Sequence, residues 1–448
     1  MLVGPSIVWA SEYIGSGEVI IATRSGALLG PAIIWAIVVG IALKFWIGLS
    51  GARYTVCTGE GMIDMFARIP GPKNWAVWIV LVGMLFAGIV SIGSVATAGG
   101  IFLSSIIPIN KITGGIIITL IAVIIAGTGE FKWLKITMSF LVLVVILGVF
   151  YVCVHVWPTS AELLRGLIPH KPELPQWVMN KEIISNPWEE ILPLLGWGAG
   201  GFASQVFYSY WVIGAGYGVT TKNKYGSSAD LKLLRSLNLT DAKKLRGWLK
   251  MVYSDSFVAL IIGILVTSGF LIAGAGILGP REIAPEGNQV AIQLSTIFSS
   301  QWGKLGGLLF MIGGTAALMS TSMGQLAGWP RLVADAFRIC IPAFGRALQW
   351  KYQFRIFLGL FFITNVYIIS TLGSQPVVLI KFSAVVDGLL FTPFQSILIL
   401  FAIYFIQPKL FQPDVAKMLK PHWIFAVGLV VAFLFFGYFC VYQIPNLF

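Results

Sequence analysis

The sequence predicts an all-α integral membrane protein of eleven spans, grouped five plus five plus one, with the first and sixth spans broken. Three observations carry that expectation. Hydrophobic residues fill 57% of the 448 positions and charged residues only 11%, where a soluble domain carries about 25% charge. Apolar windows of about 20 residues, enough to cross a bilayer, recur along the whole chain. Glycine clusters interrupt two of these windows, and four uninterrupted windows follow each of them.

The first window, roughly residues 3–28, is split by Gly15-Ser16-Gly17, with Glu12 and Glu18 flanking the break. A carboxylate at mid-membrane costs a few kcal/mol or more, so it marks a functional site by default. An unwound helix also frees backbone groups that only a protein-lined cavity tolerates. Further spans fall at roughly 30–52, 75–104, 113–129 and 133–156. The sixth, roughly 189–218, carries the second break in Gly196-Trp197-Gly198-Ala199-Gly200-Gly201. Those glycines each cost a straight helix about 1 kcal/mol relative to Ala; close packing through small residues is the alternative reading. Spans at roughly 250–278, 289–327, 353–372, 376–406 and 423–445 complete the set. Broken helices at matching places in two halves point to an inverted repeat with a binding site at the breaks.

The expected organisation is therefore a first repeat over 1–156, an extracellular loop over 157–188, a second repeat over 189–406, and a cytoplasmic loop with the eleventh helix over 407–448. Basic residues orient it. With the N-terminus inside, the inner loops hold about 21 of the 30 Lys and Arg, and the outer loops about six. The largest inner group runs from Lys222 and Lys224 to Lys250, and a second holds Arg331, Arg338, Arg346, Lys351 and Arg355. Thr240 is the expected cap of a basic amphipathic turn in the former loop. This places the chain in the cell membrane with the N-terminus cytoplasmic and the C-terminus outside. It also explains the net charge of +12 without a nucleic-acid partner. No secretory leader is evident. Cys57, Cys153, Cys340 and Cys440 stand singly, without metal or disulfide spacing.

Gly4-Pro5, Tyr13-Ile14, Gly17, Gly26 and Gly30 fall, without a gap, on the pattern G-P-x…Y-I-D-P-G-N…A-G…G. That pattern belongs to the first helix of Nramp divalent-metal transporters. Tyr253-Ser254-Asp255-Ser256 resembles that family's seventh helix, and Ser320-Thr321…Gly324-Gln325-Leu326-Ala327-Gly328 its eighth. The resemblance implies the LeuT-type fold and alternating access by a rocking bundle.

The departures point to a changed site. The family's metal-binding D-P-G-N becomes Gly15-Ser16-Gly17-Glu18, which removes the Asp and puts Glu in the Asn place. Its sixth-helix A-x-x-M-P-H-N matches Gly200, Ala203, Ser204, Gln205 and Val206. The thioether that favours soft transition metals is absent. The third-helix acids are replaced within Ala87-Gly88-Ile89-Val90-Ser91-Ile92-Gly93, and Gln205 and Tyr210 occupy the histidine positions. The expected substrate-binding set is Glu18, Gly15, Ser16, Glu12, Gly200, Ala203, Ser204, Gln205, Tyr208 and Asp387, with Glu18, Gly15 and Gly200 nearest the metal. Lys381 is expected to offset the charge of Asp387, and Asp255 to cap a helix start.

An oxygen-only site suits Mg²⁺ or Mn²⁺. The expected function is therefore a secondary transporter of a hard divalent cation, with weak or no proton coupling, acting as a monomer in the lipid bilayer. An organic cation or amino acid is the alternative, because carboxylates beside Phe207, Tyr208, Tyr210 and Trp211 would suit an ammonium group. A non-transporting sensor or scaffold is the third reading. An enzyme is not expected, since no nucleophile–base set or phosphate loop occurs, and no cofactor is implied.

Overall fold

The computed structural model describes residues 4–222 and 225–445, so Lys224 of the basic group lies outside the described residues. The first span is two half-helices. Ser6–Tyr13 ends at Ile14, and Gly17–Ala22 begins a second half in wide π-type turns that continues as Thr23–Leu29. The sixth is also split, into Trp188–Trp197 and Phe202–Ala215. Ala199 and Gly200 take φ of 60° and 71° between these halves, a conformation that favours glycine. The continuous spans are Ile34–Thr58, Trp75–Ser104, Lys111–Gly127, Phe131–His155, Leu239–Ala273, Trp350–Thr371 and Trp423–Tyr438, while the eighth, Val290–Cys340, is two helical stretches joined at a kink at Gly303. The tenth joins Pro376–Val385 to Thr392–Phe401 through the π-type turn Val386–Leu390.

Among the described residues, eight helical runs are long and apolar enough to cross a membrane unaided. Eleven spans result when three more are counted: the first apart from the second, the broken sixth, and the shorter Lys111–Gly127. The molecule is greasy outside and holds charged side chains within its apolar interior. Phe140, Leu143, Leu147 and Val154 of the fifth span and Leu434 of the eleventh are exposed, whereas Glu12, Glu18, Lys44, Arg53 and Asp387 are buried. That inversion suits a lipid surround, in which every interior polar group must find a partner within the protein. Ser6–Tyr13 packs among the fifth, sixth, seventh and eighth spans, and Trp188–Trp197 against the second and tenth. The two breaks therefore meet at the centre.

Several sequence expectations are corrected. The eighth span does not stop near 327 but runs to Cys340, bent at Gly303 (φ 62°, ψ −152°). Arg331 and Arg338 are thus helical residues, not members of an inner loop. The dip in hydropathy after Trp329-Pro330 marks a charged but enclosed turn: the Arg331 guanidinium lies 4.7 Å from the Phe354 ring and 4.8 Å from that of Tyr225. Thr240 is not the cap of its helix. Asn238 is, accepting from the N–H groups of Thr240 and Asp241, and the helix continues unbroken into the seventh span.

Lys381 pairs with Glu190 at 3.0 Å rather than with Asp387. Asp255 does cap a helix, but a neighbour's: its carboxylate accepts from Gly4 N at 2.8 Å and Ser6 N at 3.0 Å, at the start of the first span.

Candidate functional site

At the first break the freed backbone groups are taken up by side chains. The Glu18 carboxylate accepts from Gly15 N at 2.9 Å, and its other oxygen accepts from the Thr267 hydroxyl at 3.4 Å. Thr321 of the eighth span donates to the Glu12 carbonyl at 2.7 Å, and Ser320 donates to the Ser11 carbonyl at 2.8 Å. Gly15 is required by this clamp, because a Cβ there would fall 1.9 Å from the Thr321 hydroxyl. The Ser320-Thr321 pair thus holds the unwound segment open.

The second break is bracketed by charge. Asp387 in the tenth-span turn accepts from Ala203 N at 3.1 Å, which places a carboxylate at the positive end of Phe202–Ala215. Lys44 of the second span donates to the carbonyls of Gly196 and Gly200. Gln205 donates to the Ala199 carbonyl at 3.0 Å.

Between the breaks lies a small cavity of about 20 Å³, room for a single water-sized body. Its polar walls are Glu12, Ser16, Ser204, Thr321, Gln325 and Asp387, and Trp197, Phe207 and Trp329 close it. Ser204 donates to the Glu12 carboxylate. Gln325 donates to Ser91 at 3.0 Å, while its Oε1 is buried without a partner. That orphaned acceptor is a ligand-ready oxygen.

Of the sequence-derived set, Glu12, Ser16, Gly200, Ala203, Ser204 and Asp387 line this cavity. Gly15, Glu18, Gln205 and Tyr208 do not form its walls. Glu18 turns back to its own break, the Gly200 carbonyl faces Lys44, and Tyr208 stacks on Trp9 with ring centroids 4.5 Å apart. Thr321, Gln325 and Lys44 were missed as site residues. A charged side chain within the apolar run of the second span was the signal for Lys44; the other two sit in the eighth-helix motif. Among the described residues no three His, Cys, Asp or Glu side chains form a metal-binding group.

Charged contacts hold both ends of the first span. At one end Arg24 pairs with Glu190 at 2.9 Å and Glu286 at 2.8 Å, with Lys381 sharing Glu190. At the other, Asp255 ties down the start of the first span, and Arg338 joins Asp64 to Asp335.

The sequence model of the Nramp family (natural resistance-associated macrophage protein-like) matches residues 6–181. Over that stretch, less than half of its length, the chain is similar to the Nramp family. A divalent metal cation transporter MntH of Yersinia pestis (strain Pestoides F) is 26% identical over 176 residues, 38% of this chain and 42% of its own length. MntH of Pectobacterium carotovorum is 30% identical over 79 residues, 17% of this chain and 19% of its own. The chain thus aligns with less than half the length of these relatives. Its three-dimensional likeness is far more extensive. A manganese transporter of Eremococcus coleocola, in a mutant form, superposes with a TM-score of 0.70 over 98% of this chain and 85% of itself, at 14% identity. Mhp1, a nucleobase-cation-symport-1 family transporter with bromovinylhydantoin bound, gives 0.59 over 97% and 91%, also at 14% identity. MhsT in complex with L-phenylalanine gives 0.53 over 96% and 97%, at 13% identity. The expected LeuT-type fold is therefore present, and family and structural neighbours are transporters rather than enzymes.

Proposed function

We propose that this protein is a secondary transporter that carries a hard divalent cation, Mn²⁺ or Mg²⁺, across the cell membrane by alternating access. The observation that carries the reading is the small cavity of about 20 Å³, walled in part by carboxylate, hydroxyl and amide groups, where two broken helices meet. That volume suits a partly dehydrated ion and excludes an amino acid or organic ammonium from this closed arrangement. Glu12, Ser16, Ser204, Asp387 and the unpartnered Gln325 Oε1 would hold the ion, the hard-oxygen set that such ions prefer. Glu12, Glu18 and Asp387 against Lys44 leave two formal negative charges, the number a divalent ion neutralises. The Yersinia and Pectobacterium relatives are named as divalent metal cation transporters, in agreement with this choice.

In this reading Glu18 shapes the break rather than ligating the metal, and Gly15 and Gly200 serve through backbone geometry. Coupling to protons is weak or absent: His155, His170 and His422 are all exposed, far from the role the family's histidines play. The protein works as a monomer with the N-terminus inside, and no catalysis is assigned to it.

The deciding experiment is isothermal titration of the detergent-purified protein with Mg²⁺, Mn²⁺ and Ca²⁺, paired with proteoliposome uptake. Saturable Mn²⁺ or Mg²⁺ binding that is lost in Glu12→Gln and matched by uptake is expected. No binding and no uptake of any divalent ion would overturn the proposal and move the search to amines and amino acids.

A further inference from the structure

Lys44 lies near the middle of the second span, and its side chain is fully buried. Its ammonium donates to the carbonyls of Gly196 and Gly200, the latter at 2.8 Å. The ring of Phe436, on the eleventh span, lies 5.6 Å away, and Asp387 and Glu18 are the carboxylates whose charge acts on it.

The two carbonyls and the ring that meet the ammonium each attract positive charge. The Gly196 carbonyl sits at the C-terminal, negative pole of the half-helix Trp188–Trp197. Gly200, at the left-handed turn, turns its carbonyl to the same point. An aromatic face completes an acceptor surround of the kind that holds ammonium and small monovalent ions. Nothing in it recognises the lysine stem; what it recognises is the charge.

We propose that the Lys44 ammonium is a tethered cation occupying a monovalent-cation site between the second, sixth, tenth and eleventh spans, beside the divalent cavity and sharing Gly200 with its lining. The chain thereby supplies its own counter-ion where a free ion would otherwise be needed. With the tether cut, the site accepts a free ammonium, and more weakly Na⁺ or K⁺.

The test uses binding in detergent, so it stands apart from whether the protein transports a metal. Lys44→Ala removes Cγ to Nζ, the atoms that propylammonium restores. We expect propylammonium chloride to raise the melting temperature of Lys44→Ala saturably by a few degrees. NaCl and KCl should do so less, choline chloride not at all, and the unsubstituted protein should respond to none of them. A folded Lys44→Ala that ignores all four salts overturns the proposal. If the variant is recovered only when purified with propylammonium, that supports it; recovery with neither propylammonium nor choline counts against it. Lys44→Met fills the channel with an apolar stem and should not respond to the amine. An equal response there would place the amine elsewhere and refute the assignment.

Discussion

Glu12 and Glu18 are both buried carboxylates beside the same break, yet they face different partners. Glu12 shares a hydrogen bond with Ser204 across to the sixth span and borders the cavity. Glu18 satisfies the Gly15 N–H and the Thr267 hydroxyl. The two substitutions therefore separate. Glu12→Gln should weaken Mn²⁺ affinity by about a hundredfold with the fold intact, read by titration and a melting curve. Glu18→Gln should chiefly lower the melting temperature, because a carboxylate anchoring a freed N–H is lost. Gly201→Ala offers a third check. Its Cβ would lie 1.8 Å from an Asp387 oxygen, so the carboxylate must leave Ala203 N, and uptake should fall at least as far as in Asp387→Asn. The sequence shows that such carboxylates exist but not where they point. Facing is read from a steady 100° per residue, and Ile14 (φ −75°, ψ 87°) interrupts that count between the two glutamates.

At the scale of elements, the half-helices are held shut by few but strong contacts. Glu190 of the sixth span accepts from Arg24 of the first and Lys381 of the tenth, and its side chain is wholly buried. Removing one member of a buried ion pair costs about 3–5 kcal/mol, because the partner charge is left uncompensated. Glu190→Gln should thus destabilise the closed arrangement at that end. A cysteine placed at Ser16, in a background without the four native cysteines, should then react faster with a membrane-impermeant maleimide. An unchanged labelling rate would show that the ion pairs do not hold this end closed. This network was not legible in the sequence. Arg24 and Glu190 lie 166 positions apart, and only the fold brings them together. The breaks were legible because Gly15-Ser16-Gly17 and Gly198 to Gly201 carry their conformational preference locally, in the absence of side chains.

At the scale of the whole molecule, hydropathy foretold the spans well because each window averages about 20 residues, and lipid tolerates few other solutions. Its failure at Arg331 has the same origin. An average cannot see that three aromatic rings enclose one guanidinium, so a helix carrying charge reads as a loop. Orientation follows from the distribution of Lys and Arg. A C-terminal alkaline phosphatase fusion should be active and a C-terminal green fluorescent protein fusion dark, placing that end outside the cell. The opposite pair of results would invert the topology and exchange the inner and outer ends of the molecule.

The first span is tied down at both ends, by Arg24 with Glu190 on one side and by Asp255 at its start on the other. Under the proposed transport function, throughput is then set by how often these contacts part rather than by diffusion along a pore. Such rearrangements occupy microseconds to milliseconds or longer, which caps the ionic current of each molecule far below that of an open channel. A cell can therefore keep many copies in its membrane without short-circuiting the voltage that powers its other work.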